Sequence, residues 1–497
     1  MPQGRFDFTQ EVPGAESLGA VHFIAIGGAG VSGVARLFLA AGYRVSGSDQ
    51  RDSPALRSLE EAGARVFVGH DAAHVTDVET VIISGAIKES NPELIAARDQ
   101  DLRVLHRAQG IAALLKSRST IAVAGANGKT TTSAMLTSAL IAAELDPGYV
   151  IGSPLAGGLG NAALGTGPVV VEADESDASF LVYRPDIAIV TNVTPDHLDF
   201  YGDFSGVQAA FAQFVGSISA GGLLVINADD AGSAPLAALA KEQGLRVHTW
   251  GGAADADVRI VSVDSVGMSS TAELLWQAQV GDASPGQRHT LDVPMPGAHN
   301  IANACAALVA ATAGAGGDTR AALAGLASFP GADRRFQRIG EAAGVSVVDD
   351  YAHNPDKVAA VVQAGLSVTQ STGGRLVVVF QPHLYSRTQH FVAQFATGLS
   401  AADVVAVLDI YGAREESIPG VTSQLITQAI GAFGGATQVF DDVRDLEQAP
   451  TQLAPLLQAG DLVLTVGAGD ITTLGPRLVD ALSGLATDQN GGATADD

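Results

Sequence analysis

The stretch that decides the fold is Ser119–Ala142, STIAVAGANGKTTTSAMLTSALIA: an apolar β-type run, a glycine turn, then an Ala/Leu-rich helical segment. Gly128, Lys129 and Thr130 are the end of a phosphate-binding loop, in which backbone N–H groups and the lysine hold β- and γ-phosphates and the threonine hydroxyl reaches Mg²⁺. A full-length loop needs a glycine where Val123 stands; the nearest is Gly125, so this loop is a shortened one. The spacing predicts an ATP site built from Gly125, Ala126, Asn127, Gly128, Lys129, Thr130 and Thr131.

Outward from this point the same strand–helix alternation recurs, the pattern of a parallel sheet covered by helices. An earlier series runs from Val21–Ile26 to Val81–Ser84. The second opens at Ser119–Ala124 and includes Pro168–Glu172, Asp186–Thr191 and Leu223–Asn227. A third opens at Val345–Val348 and includes Arg375–Phe380, Val404–Leu408 and Leu462–Val466. The expected fold is therefore α/β in three domains, at 1–117, 118–328 and 329–497, with a strand-rich insertion over about Trp250–His289 and a disordered polar tail at 485–497.

A length of 497 residues agrees with roughly three domains. With 28 basic against 53 acidic side chains the formal net charge is −25, which repels nucleic acid and anionic membranes, so any phosphate is gripped locally. No apolar run reaches the roughly eighteen residues of a spanning helix. The N-terminus lacks the basic start and apolar core of a signal peptide, and a single cysteine, Cys305, cannot form an internal disulfide. The expected location is the cytoplasm. Cys305, in NACAALVAA, reads as a small buried hydrophobe.

Several further residues could carry chemistry. Gly28, Gly30 and Gly33 fit G-x-G-x-x-G after the strand HFIAI, and Asp49 closes the next strand at ribose distance. On local grounds this is a dinucleotide site, and a NAD dehydrogenase stays open. Magnesium beside an ATP needs hard ligands from neighbouring strand ends: Glu172 ends VVVE, and His197 follows Asp196 just past the next strand. Asp174, Glu175 and Asp177 read as a partly solvated loop at the same cleft. Asn300, at a helix start, either reads an adenine edge or caps the helix. Arg334 and Arg335 open the third domain, where an arginine can stabilise a transferring phosphoryl group. Two loops, VVDDYAHNP and FQPHLYSRT, expose Asp350, Tyr351, His353, His383 and Arg387; Arg387 suits a carboxylate and His353 an amine proton.

Taken in order, HFIAIGGAGVSGVA, SGAIKESNPE, GANGKTTT, VEADESDASF, NVTPDHLD, PGAHNIANA, GADRRFQ, DDYAHNP, FQPHLYSRT, DIYGAREESIPGVTS and LTVGAGDIT span nearly the whole chain. In this order they resemble the Mur ligases of bacterial cell-wall synthesis. The resemblance implies an N-terminal Rossmann-like domain for a UDP-sugar, a central ATPase and a C-terminal Rossmann-like domain that closes over the site. It reassigns the first glycine loop to a UDP-sugar diphosphate, against the dehydrogenase, with Gly28, Ala29, Gly30, Ser32, Asp49, His70 and Ser84 as contacts.

The implied reaction activates the lactyl carboxylate of UDP-N-acetylmuramate with ATP as an acyl phosphate, which the amino group of L-alanine attacks, giving ADP and phosphate. Lys129, Glu172, His197, Arg335 and His353 are the implied catalytic set; Thr130, Glu172 and His197 hold Mg²⁺. Asn300 meets adenine, Asp350 the ribose, and Tyr351, His353, His383 and Arg387 the amino acid. A recycling ligase that attaches a preformed peptide to the same sugar nucleotide is the alternative. A nucleotide-gated binding protein without chemistry is a further one. The oligomeric state stays open.

The chain departs from the family pattern in three places. Ala126 and Asn127 replace Thr and His of GTHGKTTT, Asn354 stands where DDYGHHP has His, and Leu384 stands where an arginine is usual. Several sister ligases bind a second magnesium with a carbamylated lysine, a device excluded here because no lysine lies between Lys129 and Lys241.

Overall fold

The computed structural model describes residues 5–413, 415–432 and 437–491. It contains three sheets. In the first, β1 (Val21–Ile24), β2 (Val45–Asp49), β3 (Arg65–Val68), β4 (Thr80–Ile83) and β5 (Arg103–His106) run parallel in the order β3-β2-β1-β4-β5. This is the strand order of a dinucleotide-type fold, with ligand space at the carboxyl ends beside β1. All four residues of β1 and of β4 are buried, as parallel strands covered on both faces must be.

The second sheet has ten strands: β6 (Thr120–Ala124), β7 (Gly148–Leu155), β8 (Gly160–Ala163), β9 (Val169–Glu172), β10 (Ile187–Val190), β11 (Leu223–Asn227), β12 (Arg246–Gly251), β13 (Val258–Val266), β14 (Ser269–Trp276) and β15 (Arg288–Val293). The order is β15-β14-β13-β12-β11-β10-β6-β9-β7-β8. β6 lies between β9 and β10 with parallel neighbours, so the ends of Glu172 and Asn192 flank the glycine turn that follows it. The strand-rich segment expected over Trp250–His289 extends this sheet at one edge.

The third sheet is β16 (Gln337–Ala342), β17 (Val345–Asp350), β18 (Leu376–Phe380), β19 (Val404–Val407), β20 (Gln438–Val439) and β21 (Leu462–Val466), ordered β16-β17-β21-β18-β19-β20. Only β16 is antiparallel to its neighbour.

By contacts the chain divides into two compact units. The first holds 1–263, 271–293 and 301–332, and so carries the first sheet and most of the second; the other holds 264–270, 294–300 and 333–497. The core of the first unit runs from Phe23, Phe38 and Ile82 to Phe180, Phe211 and Phe214. That of the second gathers Val347, Val377, Val463 and Leu478.

One sequence reading shifts in the structure. The helix Leu474–Gly491 runs past the expected start of the tail at 485, since Leu478 and Leu482 anchor its first turns in the core; 492–497 lie outside the described residues. NACAALVAA falls in the helix Ala298–Val309 and in the π-turn Ala310–Gly314 that widens its end, and Cys305 is fully buried there, in line with its reading as a small hydrophobe. No helix among the described residues is long and apolar enough to cross a membrane.

Candidate active site

The turn after β6 is shaped by its neighbour β10. Gly125 has φ +137°, and a Cβ there would lie 2.0 Å from Thr191 Oγ1. Thr191 donates to Asn127 O at 2.6 Å, Asn192 Nδ2 donates to the same carbonyl at 3.0 Å, and Asn127 N donates to Asn192 Oδ1 at 3.0 Å. The loop's backbone is thereby fixed whatever side chain position 127 carries, which accommodates asparagine in place of histidine.

From this loop the helix Lys129–Ala142 presents Lys129 and Thr130. Lys129 Nζ donates to Gly125 O at 2.7 Å and pairs with Glu175, at 2.8 Å to Oε1 and 2.7 Å to Oε2. Burial works against the ammonium, but the charges of Glu175 and Asp174 outweigh it and raise its pKa, so Lys129 stays a cation. Thr130 Oγ1 donates to Glu172 Oε1 at 2.8 Å, and Gly152 N donates to Glu172 Oε2 at 2.7 Å.

The reading of Glu175 as partly solvated is corrected here: it is 2% exposed, because Lys129 gives it a counter-ion and Tyr201 binds its carbonyl. His197 sits at a left-handed position, φ 53°, with Nε2 3.8 Å from Glu175 Oε1 and 3.7 Å from Asp196 Oδ2. The structure thus brings Thr130 and Glu172 together and sets His197 on Glu175. Among the described residues no group of three or more His, Cys, Asp or Glu has metal-holding geometry. Thr130 and Glu172 nonetheless present hard oxygens on adjoining elements, a donor set that fits Mg²⁺ completing its shell with phosphate and water.

The loop 172–178 also reaches the first sheet. Arg107 Nη2 donates to Asp174 Oδ2 at 2.9 Å, and His106 Nε2 lies 3.5 Å from Asp177 Oδ2. Burial raises the Asp174 carboxyl, yet Arg107 and Lys129 overcome this and hold it down at about 2; burial also pushes the His106 imidazole down to about 4.

At the first glycine loop, Gly28 caps the helix Ala29–Ala40, and Ser32 is buried within it. Asp49 Oδ2 accepts from Gly27 N at 3.0 Å, which ties the end of β2 to this loop. His70 Nδ1 lies 2.9 Å from Ser48 Oγ and 3.1 Å from Glu93 Oε2. Glu93 is a fully buried carboxylate that also faces His74 and His22. Burial raises this carboxyl, yet hydrogen bonds from Ser48 and His74 and the imidazole of His22 3.7 Å away hold it down at about 2. Ser84 follows β4 directly.

In the second unit, Tyr351 lies under two guanidinium groups, with Arg334 4.8 Å and Arg335 5.5 Å from the ring centroid. Both Asp350 oxygens accept from backbone, Phe336 N and Ala352 N at 2.8 Å each, and burial raises this carboxyl. His353 Nδ1 is 2.9 Å from Tyr351 O, and burial lowers its pKa to about 3, so the ring is neutral. His353 and His383 rings are 6.0 Å apart, His383 stacks on Tyr411 at 5.8 Å, and Arg387 Nη1 is 3.5 Å from His383 Nδ1.

Of the departures in this unit, Asn354 Oδ1 accepts from Lys357 N at 2.9 Å and caps the helix Pro355–Thr372. Leu384 enters the helix Tyr385–Leu399 at φ 71°, its N–H on Tyr411 O. Asn300 Nδ2 donates to Pro296 O at 2.8 Å, so its amide holds the turn entering its helix. Sequence reading missed Arg107, Asn192, Glu175 as the lysine's partner, and Tyr411. Asn192, Glu175 and Tyr411 lie in stretches that it singled out and Arg107 lies in none, and no spacing marks any of the four.

The description "Mur ligase family, catalytic domain" matches residues 20–119, "Mur ligase middle domain" 123–311 and "Mur ligase, glutamate ligase domain" 334–469. The chain is 49% identical to a UDP-N-acetylmuramate–L-alanine ligase of Kineococcus radiotolerans, over 95% of this chain and 98% of the relative. It is 47% identical to one of Thermobifida fusca, over 94% and 97%. Among solved structures, a UDP-N-acetylmuramate–alanine ligase of Thermotoga maritima superposes with a TM-score of 0.77 at 27% identity, covering 95% of this chain and 99% of that one. A murein peptide ligase of Psychrobacter arcticus gives 0.66 at 26%, covering 93% and 98%.

Proposed function

The chain belongs to the Mur ligase family, and on that premise we propose that it joins L-alanine to the lactyl carboxylate of UDP-N-acetylmuramate, using ATP, in peptidoglycan precursor synthesis. The observation that carries this reading is 49% identity, over nearly the full length of both chains, to a relative named for that reaction. The peptide-adding alternative is the less favoured, since its solved relative superposes less well, 0.66 against 0.77.

The chemistry follows from the groups present. A carboxylate resists attack until one oxygen becomes a leaving group, so the γ-phosphoryl of ATP is transferred to it first. Lys129 meets the β- and γ-phosphates at the helix N-terminus, releasing Glu175 as it does so, and Arg335 contributes a second positive charge. Thr130, Glu172 and His197 are the proposed magnesium ligands; the ion, when bound, would neutralise phosphate charge. Asn300 is assigned to the adenine side and Asp350 to the ribose.

In the second half, the ammonium group of L-alanine first loses a proton, for which the neutral imidazole of His353 is the assigned acceptor; the freed amine then attacks the acyl phosphate and phosphate leaves, while Arg387 and His383 orient the amino acid with Tyr351. Gly28, Ala29, Gly30, Ser32, Asp49, His70 and Ser84 are assigned to the UDP-sugar. Domain limits at 1–117, 118–328 and 329–497 and a cytoplasmic location, where nucleotide substrates are made, belong to the same proposal.

The test is magnesium-dependent phosphate release from ATP with UDP-N-acetylmuramate and L-alanine, glycine, L-serine or the tripeptide of recycling enzymes, with mass spectrometry of the product. Release driven best by L-alanine, with one alanyl unit gained, is the expected result. Release with the peptide alone moves the assignment to recycling, and ATP binding without release to a binding protein.

A further inference from the structure

Arg107 opens the helix Arg107–Leu115 at the carboxyl end of β5 and lies between the two glycine-rich loops of the first unit. Its guanidinium is forked. One prong, Nη2, donates to Asp174 Oδ2 at 2.9 Å. The other, Nη1, lies 3.3 Å from the point a Cβ on Gly30 would occupy, so a glycine there leaves the guanidinium close to the backbone. By helix geometry the amides of Ala29 and Gly30 have no intrahelical acceptor, so two N–H donors and a cation meet where an anion would sit.

Asp174 ties this cation to the other loop. Its neighbour Glu175 pairs with Lys129, Glu172 accepts from Thr130, and both belong to the segment 172–178. The charge of Asp174 is sensed by Arg107 and by Lys129 alike.

We infer that Arg107 binds the pyrophosphate of the sugar nucleotide through Nη1 and, through Asp174, couples occupation of that site to the ATP loop. Asp174 is then a positioning residue. This rests on the reading that Gly28–Gly33 takes a UDP diphosphate. With both prongs engaged, segment 172–178 is fixed by the first ligand and needs no further ordering for the second, which makes the coupling positive.

Calorimetric titration of the full chain tests this, with UDP-N-acetylmuramate alone and with a saturating non-hydrolysable ATP analogue plus Mg²⁺, and in the reverse order. The wild-type protein is expected to bind each ligand about fivefold more tightly in the presence of the other, by one common factor. Arg107→Gln should weaken UDP-N-acetylmuramate about tenfold or more and bring the coupling factor to about one, while the analogue alone binds as before. Arg107→Lys should recover most of the affinity without the coupling, because a single ammonium cannot span two acceptors as a fork does. Asp174→Asn keeps the cation and should lose the coupling.

If Arg107→Gln melts before titration, Arg107→Lys and Asp174→Asn still decide the matter. Wild-type affinity in Arg107→Gln, intact coupling in Arg107→Lys or Asp174→Asn, or no coupling in the wild-type protein overturns the inference. Failure of the wild-type protein to bind UDP-N-acetylmuramate at all instead overturns the reading of the glycine loop, before any variant is made.

Discussion

Around Lys129 the first unit buries full charges and balances them, with Nζ 2.7 Å from Glu175 Oε2 and the carboxylate side chain 3% exposed. Around His353 the second unit half-buries an imidazole among Tyr351, His383 and the cations Arg387 and Lys357, and leaves it neutral. The difference matches two kinds of chemistry. Phosphoryl transfer needs fixed positive charge where negative charge develops, and a buried cation needs a counter-ion until the phosphate arrives. Accepting a proton from an ammonium group needs a partner that is unprotonated at neutral pH; desolvation next to cations keeps the His353 ring neutral, and the carboxylate of a bound amino acid, by offsetting those cations, would raise its basicity.

The strongest way to break this contrast is Lys129→Met. Activity should fall by about 10³-fold or more. Glu175 is then left buried without its partner, so stability should fall by about 3 kcal/mol in a denaturant titration. The double variant Lys129→Met/Glu175→Gln should regain stability and not activity; activity regained with it would show that the lysine serves only to balance the carboxylate. Next in size, His353→Asn should lower kcat about 10²-fold with the KM for UDP-N-acetylmuramate unchanged. A change confined to KM would remove His353 from proton transfer.

Glu172→Gln should raise the Mg²⁺ concentration giving half-maximal activity about tenfold, since one carboxylate of the proposed ion site is lost. Unchanged magnesium dependence would move the ion elsewhere. The smallest effect concerns pH. His353 has a folded pKa of about 3, below its ordinary 6.5. Its contribution to stability is therefore complete above pH 6.5 and is lost as pH falls from there toward 3, where the unfolded chain binds the extra proton. His353→Asn should flatten that acid limb in melting experiments between pH 4 and 7; an unchanged slope would mean the ring is not held neutral.

Much of the molecule was legible from short-range patterns. The strand Leu223–Asn227 and the strand Leu462–Val466 fall where apolar runs bounded by turns put them, and GKTTT at a strand-to-helix turn fixed the phosphate loop. The acidic loop read poorly for a physical reason. VEADESDASF carries four carboxylates with nothing in their spacing to say which meets a cation, and Glu175 and Asp174 find theirs on Lys129, 46 positions away, and Arg107, 67 positions away. Asn354 could be read only as a departure, whereas the fold gives it a helix to cap.

The sequence by itself determined the α/β class, the phosphate loop, the residue types of the reaction and the resemblance that names it, because these depend on local spacing and on motif order. The tertiary structure alone decided which charges are paired, that Glu175 rather than solvent faces Lys129, that Arg107 spans two loops and that His353 is neutral. Those are properties of burial and of neighbours brought together from distant strands, and electrostatic energy in a desolvated site depends on distances that no linear pattern contains.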